Sequence, residues 1–527
     1  MKGKLLLSIG LGGLFLALML MLGLLVLTGP PTARAAGEIF TVNNTGDDPD
    51  ASPGNCQCRT SGGACTLCAA IQEANACPGP QTIRFSGLMS IYPATALPAL
   101  TDNGTVIDGS DRWQVVSGYE VPGVVLNGQG RNFSGLVITA SNCAIYGLGI
   151  RDFGQHGVYL YGGAQNNFIG GPGTHQRNVI SHNGVHGVRI EGSTTTSNTV
   201  SSNYIGTDFT GRTAYGNGGH GVSIWQGAGN MVFNNLIAAN GWSGVAVDYV
   251  SNGAIAGNRI GVNLSGAPLG NGFFGAHVSH NSEVEIVGNE IAFNQRGIHV
   301  ELGSKPWIFE NTIYSNTATL LMPPYGGGIL VRDTGSWGEI GHNDILSNSA
   351  QFGGGIALFN GAGAYIYYNT IQANRAYSPA MATIAGYGGG IFVSLGGTGT
   401  GILYNRILSN TAWSDKYEAR GGGIFLFAPT SVSVVGNDII GNRAIDSAAG
   451  MHIRQGNNTV VRDNRFVRNR VSQWGDGSAL AVDGRSSWLV LENNWIFDNS
   501  SGEWGWGNAV YILGLTQLNK LLSLIHI

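Results

Sequence analysis

The chain has 527 residues, 85 of them Gly and 16 Pro, with 11% charged, 43% hydrophobic and a net charge of −4. Glycine without a three-residue period excludes collagen, the apolar content excludes a disordered Gly-rich linker, and the lack of any basic run excludes electrostatic binding to nucleic acid. Gly costs about 1 kcal/mol at each helical position, so the composition points to a β-rich, turn-rich chain, either two or three ordinary domains or one repeat array.

The N-terminus reads as a secretory signal over residues 1–35. Lys2 and Lys4 give a positive start, residues 5–27 are apolar, and Ala33-Arg34-Ala35 offers small residues for cleavage before Ala36. An uncleaved anchor is the alternative, because the apolar run is long enough to span a bilayer. No later stretch reaches that length, so the mature chain is expected to be exported, without a membrane span.

Residues 36–85 form a small module. Ile39-Phe40-Thr41-Val42 alternates as a strand, Thr66 to Ala76 carries Leu67, Ala70, Ile71 and Ala74 at helical spacing, and residues 81–85 alternate again. Five cysteines cluster here: Cys56, Cys58, Cys65, Cys68 and Cys77. Zinc is one reading of the Cys-x-Cys and Cys-x-x-Cys spacings, but no His lies near. One or two disulfides in an oxidising compartment are expected instead. Five is odd, so at least one clustered thiol stays free or pairs elsewhere. Cys143 stands alone.

The tract from Phe40 through Cys65-Thr66-Leu67-Cys68-Ala69-Ala70 to Phe85 resembles the CSLREA-type domain of bacterial secreted proteins. It departs from that pattern at Cys68, where the family has Arg, and at Ala69, where it has Glu. A disulfide at Cys68 would replace the contact of the missing Arg. The resemblance implies that the module precedes and caps a right-handed parallel β-helix.

Residues 86–512 repeat. Asn-x-Ile-x-x-Asn begins at Asn178, Asn203 (ending in Asp208), Asn235, Asn258, Asn289, Asn311, Asn343, Asn369, Asn405, Asn437, Asn464 (with Phe466) and Asn494. Between these runs Gly-[Ile/Val]-x-[Ile/Val], as at Gly187, Gly221, Gly244 and Gly297, later with extra glycines. Short strands with period-two alternation and no intervening helix are the signature of a β-solenoid. About 12 or more coils are expected, with Gly at the φ > 0 corners, Asn tolerating the same region, and stacked Asn side chains bonded to one another. A β-propeller would need antiparallel blades, which the spacing fits poorly. The tract from Asn178 to Asn217 resembles the repeat of secreted right-handed β-helix proteins, which implies the pectate-lyase-like fold, all-β. Residues 107–109 and 124–128 would be early, irregular coils.

In each Gly-Val-x-Ile-x strand the x positions face solvent. Stacking aligns them into two rows: Tyr159/Tyr161, Arg189/Glu191, Ser223/Trp225, Ala246/Asp248, His277/Ser279 and His299/Glu301, then Leu330/Arg332, Ala357/Phe359, Phe392/Ser394 and Phe425/Phe427. Aromatic rings beside carboxylates and Arg suit sugars, so Tyr159, Tyr161, Arg189, Glu191 and Trp225 are the candidate polysaccharide-binding residues. The expected role is a secreted or cell-surface protein binding polysaccharide or a surface glycan, or a structural or adhesive scaffold. The alternative is a glycoside hydrolase or polysaccharide lyase using Asp248 and Glu301 with His277 or His299 as acid/base partner. No metal or other cofactor is expected; Ca²⁺ stays open as an alternative, without a motif that supports it. The repeat stops in residues 513–527. Either the natural chain continued there, or residues 518–527 fold over the last coil as an apolar cap.

Overall fold

The computed structural model describes residues 37–173, 175–318, 324–379, 385–397, 399–415, 418–472, 475–502, 509–514, 517–522 and 525–526. The predicted signal segment lies outside them. Among the described residues, three long parallel sheets of 14, 16 and 17 strands form the walls of a β-helix. A short five-stranded set, from Ser349–Ala350 to Arg470–Val471, adds a fourth wall to the later coils. The two-residue alternation predicted this: Ile286, Ile308, Ile340 and Ile366 are paired in register and fully buried. Each such side chain removed from water stabilises the fold by about 1.5–3 kcal/mol.

The N-terminal module is built into the same solenoid. Strand Ile39–Val42 pairs in parallel with Thr82–Phe85, which pairs with Val106–Asp108. The expected helix spans Leu67–Ala76 and starts at Thr66, whose Oγ1 accepts from the Ala69 N–H at 3.0 Å. Leu67, Ile71, Ile83 and Phe85 belong to one core with Ile107, Leu126 and the coils beyond. Two disulfides form, Cys56–Cys77 and Cys58–Cys65. Cys68 keeps its thiol, buried on the helix face that packs inward. The disulfide expected at Cys68 is therefore corrected.

The asparagines form two continuous ladders. One runs from Asn178 to Asn494 through every repeat start. Asn311 is representative. Its Oδ1 accepts from Asn289 N and Nδ2, and its Nδ2 donates to Asn343 Oδ1, Ile286 O and Phe309 O, all at 2.8–3.0 Å. The second ladder runs from Asn183 to Asn499, through Asn217 and Asn271 instead of Asp208 and Asn263. Two inserted turns, closed by the bridges Thr207↔Ala214 and Val262↔Pro268, push the register on.

The corners differ from expectation. The ladder asparagines are not left-handed; the residue before most of them is, as at Glu310 (φ 54), His342 (φ 56) and Tyr368 (φ 53), the exceptions being Arg177, Gly216 and Gly270. The strand-starting glycines serve another purpose. A Cβ at Gly297 would stand 2.5 Å from Gly328 O, and one at Gly328 2.6 Å from Gly355 O. These glycines let successive coils approach closely.

The C-terminal residues are not a cap folded across the end. Val510–Ile512, Gln517–Leu522 and Ile525–His526 add parallel rungs to the three sheets.

Candidate functional site

The 14-stranded sheet carries the predicted rows in the predicted register. Tyr159 pairs with Arg189, Arg189 with Ser223, Ser223 with Ala246, Ala246 with His277 and His277 with His299. In the neighbouring row Glu191 pairs with Trp225, and Trp225 with Asp248. Core residues such as Val188, Ile190, Val222 and Ile224 alternate inward.

At one end of this face, Glu191 Oε2 accepts from Tyr159 OH at 3.0 Å and from Arg189 Nε at 3.1 Å. Arg189 Nη1 also donates to Ser223 Oγ at 2.7 Å, and its guanidinium lies 5.8 Å from the Trp225 ring. Burial, and then the bond to Glu191, push the Tyr159 hydroxyl up to about 12. Tyr161 stacks on Tyr159 at 4.7 Å and is 39% exposed; Trp225 is 37% exposed. Ser223 and Ala246 are buried and small, so they floor a trough between Arg189 and His277.

At the other end, His277 Nε2 lies 3.0 Å from Glu301 Oε1 and His299 Nε2 lies 3.3 Å from Glu301 Oε2. Hydrogen bonds from His277 and then His299 hold the Glu301 carboxyl well below the usual range. Glu301 is thus a carboxylate with no proton to give at neutral pH. Burial brings His299 down to about 3. Asp248 belongs to a different cluster: Ser279 Oγ donates to it and His280 Nδ1 lies 3.2 Å away. Among the described residues no hydrogen bond or ion pair joins Asp248 to Glu301. The structure therefore groups His277, His299 and Glu301, and leaves Asp248 apart.

The ligand atoms of His277, His299 and Glu301 lie within 4.8 Å of one another, a zinc-type donor set. Arg296 argues against a cation there. Its guanidinium can only donate, and Nη1 lies 3.1 Å from His299 Nδ1. Nδ1 must accept, so Nε2 carries the proton and offers no lone pair to a metal. The cluster runs from Arg296, which donates to His299 Nδ1, to His299 Nε2 facing Glu301 Oε2 at 3.3 Å, with His277 on the other carboxylate oxygen.

One column was missed in the sequence. His156, His186 and His220 stack with ring centroids 5.1 Å apart. The Nδ1 of each accepts a backbone N–H of the next coil, from His186, His220 and Ser243 at 3.0–3.3 Å. Burial lowers His156 to about 4, His186 to about 2 and His220 to about 4. Trp242, 49% exposed, stands edge-on to His220 at 5.1 Å. The signal was legible: each of the three histidines precedes a strand-starting Gly-Val.

A cleft of about 790 Å³ lies elsewhere, beside the hairpin of Gln114–Val116 and Tyr119–Val121. Its lining is mainly apolar, and its one carboxylate, Asp208, is used to close its own turn. It offers no acid/base pair.

The profile of the family described as "right handed beta helix region" matches residues 122–281, 262–412 and 382–517. No curated protein matches the chain. Among solved structures, pectate lyase Pel9A is 15% identical with a TM-score of 0.34, covering 64% of this chain and 76% of its own. The catalytic unit of a thermostable GH87 α-1,3-glucanase from Streptomyces thermodiastaticus is 12% identical with a TM-score of 0.35, covering 93% and 70%. The Streptococcus pneumoniae surface protein and adhesin PfbA is 12% identical with a TM-score of 0.33, covering 85% and 95%. No activity passes from them to this chain at these identities.

Proposed function

The chain belongs to the right-handed β-helix family, and on that premise we propose that it is a secreted or cell-surface protein that binds polysaccharide along the row from Tyr159 to Glu301. The carrying observation is the in-register alternation Glu191–Trp225–Asp248, with an exposed ring between two carboxylates. A pyranose presents a CH face to such a ring and hydroxyls to the flanking oxygens. The coil repeat offers a chain lying along the axis a new side-chain pair about every 4.8 Å. Two disulfides fit the oxidising compartment that the N-terminal signal implies. No helix of the described residues is long and apolar enough to cross a membrane. Glycan-array binding followed by titration tests the reading. Trp225→Ala is expected to weaken the ligand about tenfold or more, as loss of a stacked aromatic does, whereas binding that survives both Trp225→Ala and Tyr161→Ala refutes it.

A second reading, a polysaccharide-degrading enzyme, draws on His277. With Nε2–H directed at Glu301, the remaining lone pair of His277 is on Nδ1, and a carboxylate that orients an imidazole in this way prepares a general base. Glu301 would be the positioning residue and His277 the base, with Asp248 outside the pair. The test is release of reducing or unsaturated ends from a polysaccharide panel. Loss of release in His277→Ala and Glu301→Gln supports this reading, and equal release in both variants rejects it.

A further inference from the structure

The aromatic–carboxyl alternation recurs on another wall. On the 17-stranded sheet, Glu285 pairs in register with Trp307, Trp307 with Glu339, and Glu339 with Tyr365. Ile286, Ile308, Ile340 and Ile366 alternate inward, so these four side chains face outward on successive coils. Trp307 is 48% exposed and Tyr365 43%. Trp337 stands edge-on to Tyr365 at 5.1 Å and donates from Nε1 to Glu339 Oε1 at 3.2 Å. At the adjoining corner His342, Tyr368 and Tyr404 stack at 5.3 and 5.4 Å, extending the aromatic surface along the axis.

The charge of this strip differs from that of the first face. There, Arg189 neutralises Glu191. Here, Glu283, Glu285, Glu310 and Glu339 stand against Lys305, and the strands Glu283–Val287, Trp307–Phe309, Trp337–Gly341 and Gly363–Tyr367 contain no Lys or Arg. Among the described residues no ion pair reaches Glu285 or Glu339. Burial lifts Glu285 to about 7 and raises Glu339. A carboxyl desolvated without a cationic partner gains most when a cation arrives.

We infer that this strip binds a cationic amino-sugar polymer, whose pyranose faces stack on Trp307 and Tyr365 and whose ammonium groups meet Glu285 and Glu339. An acidic polysaccharide would bring further negative charge to a strip already crowded with carboxyl groups. A neutral one would stack but leave the carboxyls uncompensated. An ammonium on the ring suits both features, because a cation over an indole face is itself attracted.

The test is titration of the full chain with a hexamer of β-linked glucosamine and with its N-acetylated counterpart. The glucosamine hexamer is expected to bind and to be weakened by added salt. Affinity for it is expected to fall roughly tenfold in Trp307→Ala, and by a similar factor in the double variant Glu285→Gln with Glu339→Gln, which keeps the side-chain shape. It is expected to be unchanged in Trp413→Ala, an exposed ring on the five-stranded set away from both faces, so the loss in Trp307→Ala is read independently of the first-face reading. Failure of the glucosamine hexamer to bind would overturn the inference. So would equal binding of the N-acetylated hexamer, no loss in the Gln double variant, or a loss in Trp225→Ala with none in Trp307→Ala.

Discussion

Arg296 donates from Nη1 to His299 Nδ1 at 3.1 Å, and this contact places the imidazole proton on Nε2, the atom facing Glu301. Arg296 is 2% exposed, and its Nε donates to Tyr325 O and Gly326 O at 2.9 and 3.1 Å. Burial pulls its guanidinium down to about 9, still protonated at neutral pH. Long-range proton–nitrogen spectra of the labelled protein are expected to show His299 as the Nε2–H tautomer. Arg296→Met removes the donor to two buried carbonyls and to the ring. It is expected to cost about 2–4 kcal/mol in denaturant unfolding and to release the tautomer. A His299 protonated on Nδ1 in the unsubstituted chain would overturn this arrangement.

The asparagine ladders make a second prediction. Asn343 accepts from Asn311 N and Nδ2 and donates to Ile308 O, Gly341 O and Asn369 Oδ1, all between 2.8 and 3.0 Å. Asn343→Ala strands buried donors above it and buried carbonyls beside it. The expected cost is about 3–5 kcal/mol, the range for breaking a buried network. Asn499 is the last rung of its ladder here, half-buried, and Asn499→Ala is expected to cost less than half as much. Hydrogen exchange on the flanking amides would show it: local opening around residues 311–369 for the first variant, and only terminal fraying for the second. Equal protection in both would mean that the ladder adds nothing beyond the strand bonds.

The rows on the 14-stranded sheet were legible because period two fixes inside and outside, and parallel stacking fixes which coils meet. Four things were not. Asp208 and Asn263 match the repeat motif, yet inserted turns hand their places to Asn217 and Asn271, and turn insertions leave no mark on the hydrophobic period. The pairing of five cysteines depends on where the helix carries Cys68, which spacing alone does not give. Asp248 and Glu301 sit two coils apart in the pattern, but partner choice among Ser279, His280, His277 and His299 is set by rotamers. The Glu285–Trp307–Glu339–Tyr365 strip lies on the strands before each ladder asparagine, where the motif marks the corner and not the outward residues.

The histidine column sets the third prediction, the dependence of stability on pH. In the unfolded chain an imidazole titrates near 6.5, whereas His156 and His220 are lowered to about 4 and His186 to about 2. For a group whose folded value is depressed, stability is full above the unfolded value. Below it the unfolded chain takes up protons that the folded column refuses. Stability is therefore expected to fall from about pH 6.5 to about pH 4, with each neutral histidine adding roughly 1.4 kcal/mol per pH unit. The loss continues toward lower pH for His186. Protonation would also turn Nδ1 from acceptor to donor against the backbone N–H it now receives. Urea midpoints across this range are the measurement. His186→Asn keeps an acceptor for the His220 N–H without the titration, and is expected to flatten the profile. An unchanged midpoint from about pH 8 to about pH 4.5 would show that the column does not exclude protons.

The last prediction separates two uses of glycine. Gly297 begins a strand, and a Cβ there would lie 2.5 Å from Gly328 O and 2.7 Å from Ile313 Cγ2. Both are fixed by the next coil, so neither can yield. Gly130 has φ 74, and a Cβ there would meet nothing within 4 Å. Gly130→Ala therefore carries only the left-handed strain of an L-residue, about 1–2 kcal/mol. Gly297→Ala must push two coils apart or abandon the parallel bonds from Ile298 N to Gly328 O, and its cost is expected to exceed 4 kcal/mol. The same clash recurs at Gly187, Gly221, Gly244, Gly275, Gly328 and Gly355. Alanine at any of them is expected to lower the unfolding midpoint far more than alanine at Gly130. If Gly130→Ala proves the more damaging substitution, left-handed corners and not coil-to-coil approach account for the glycine content of this chain.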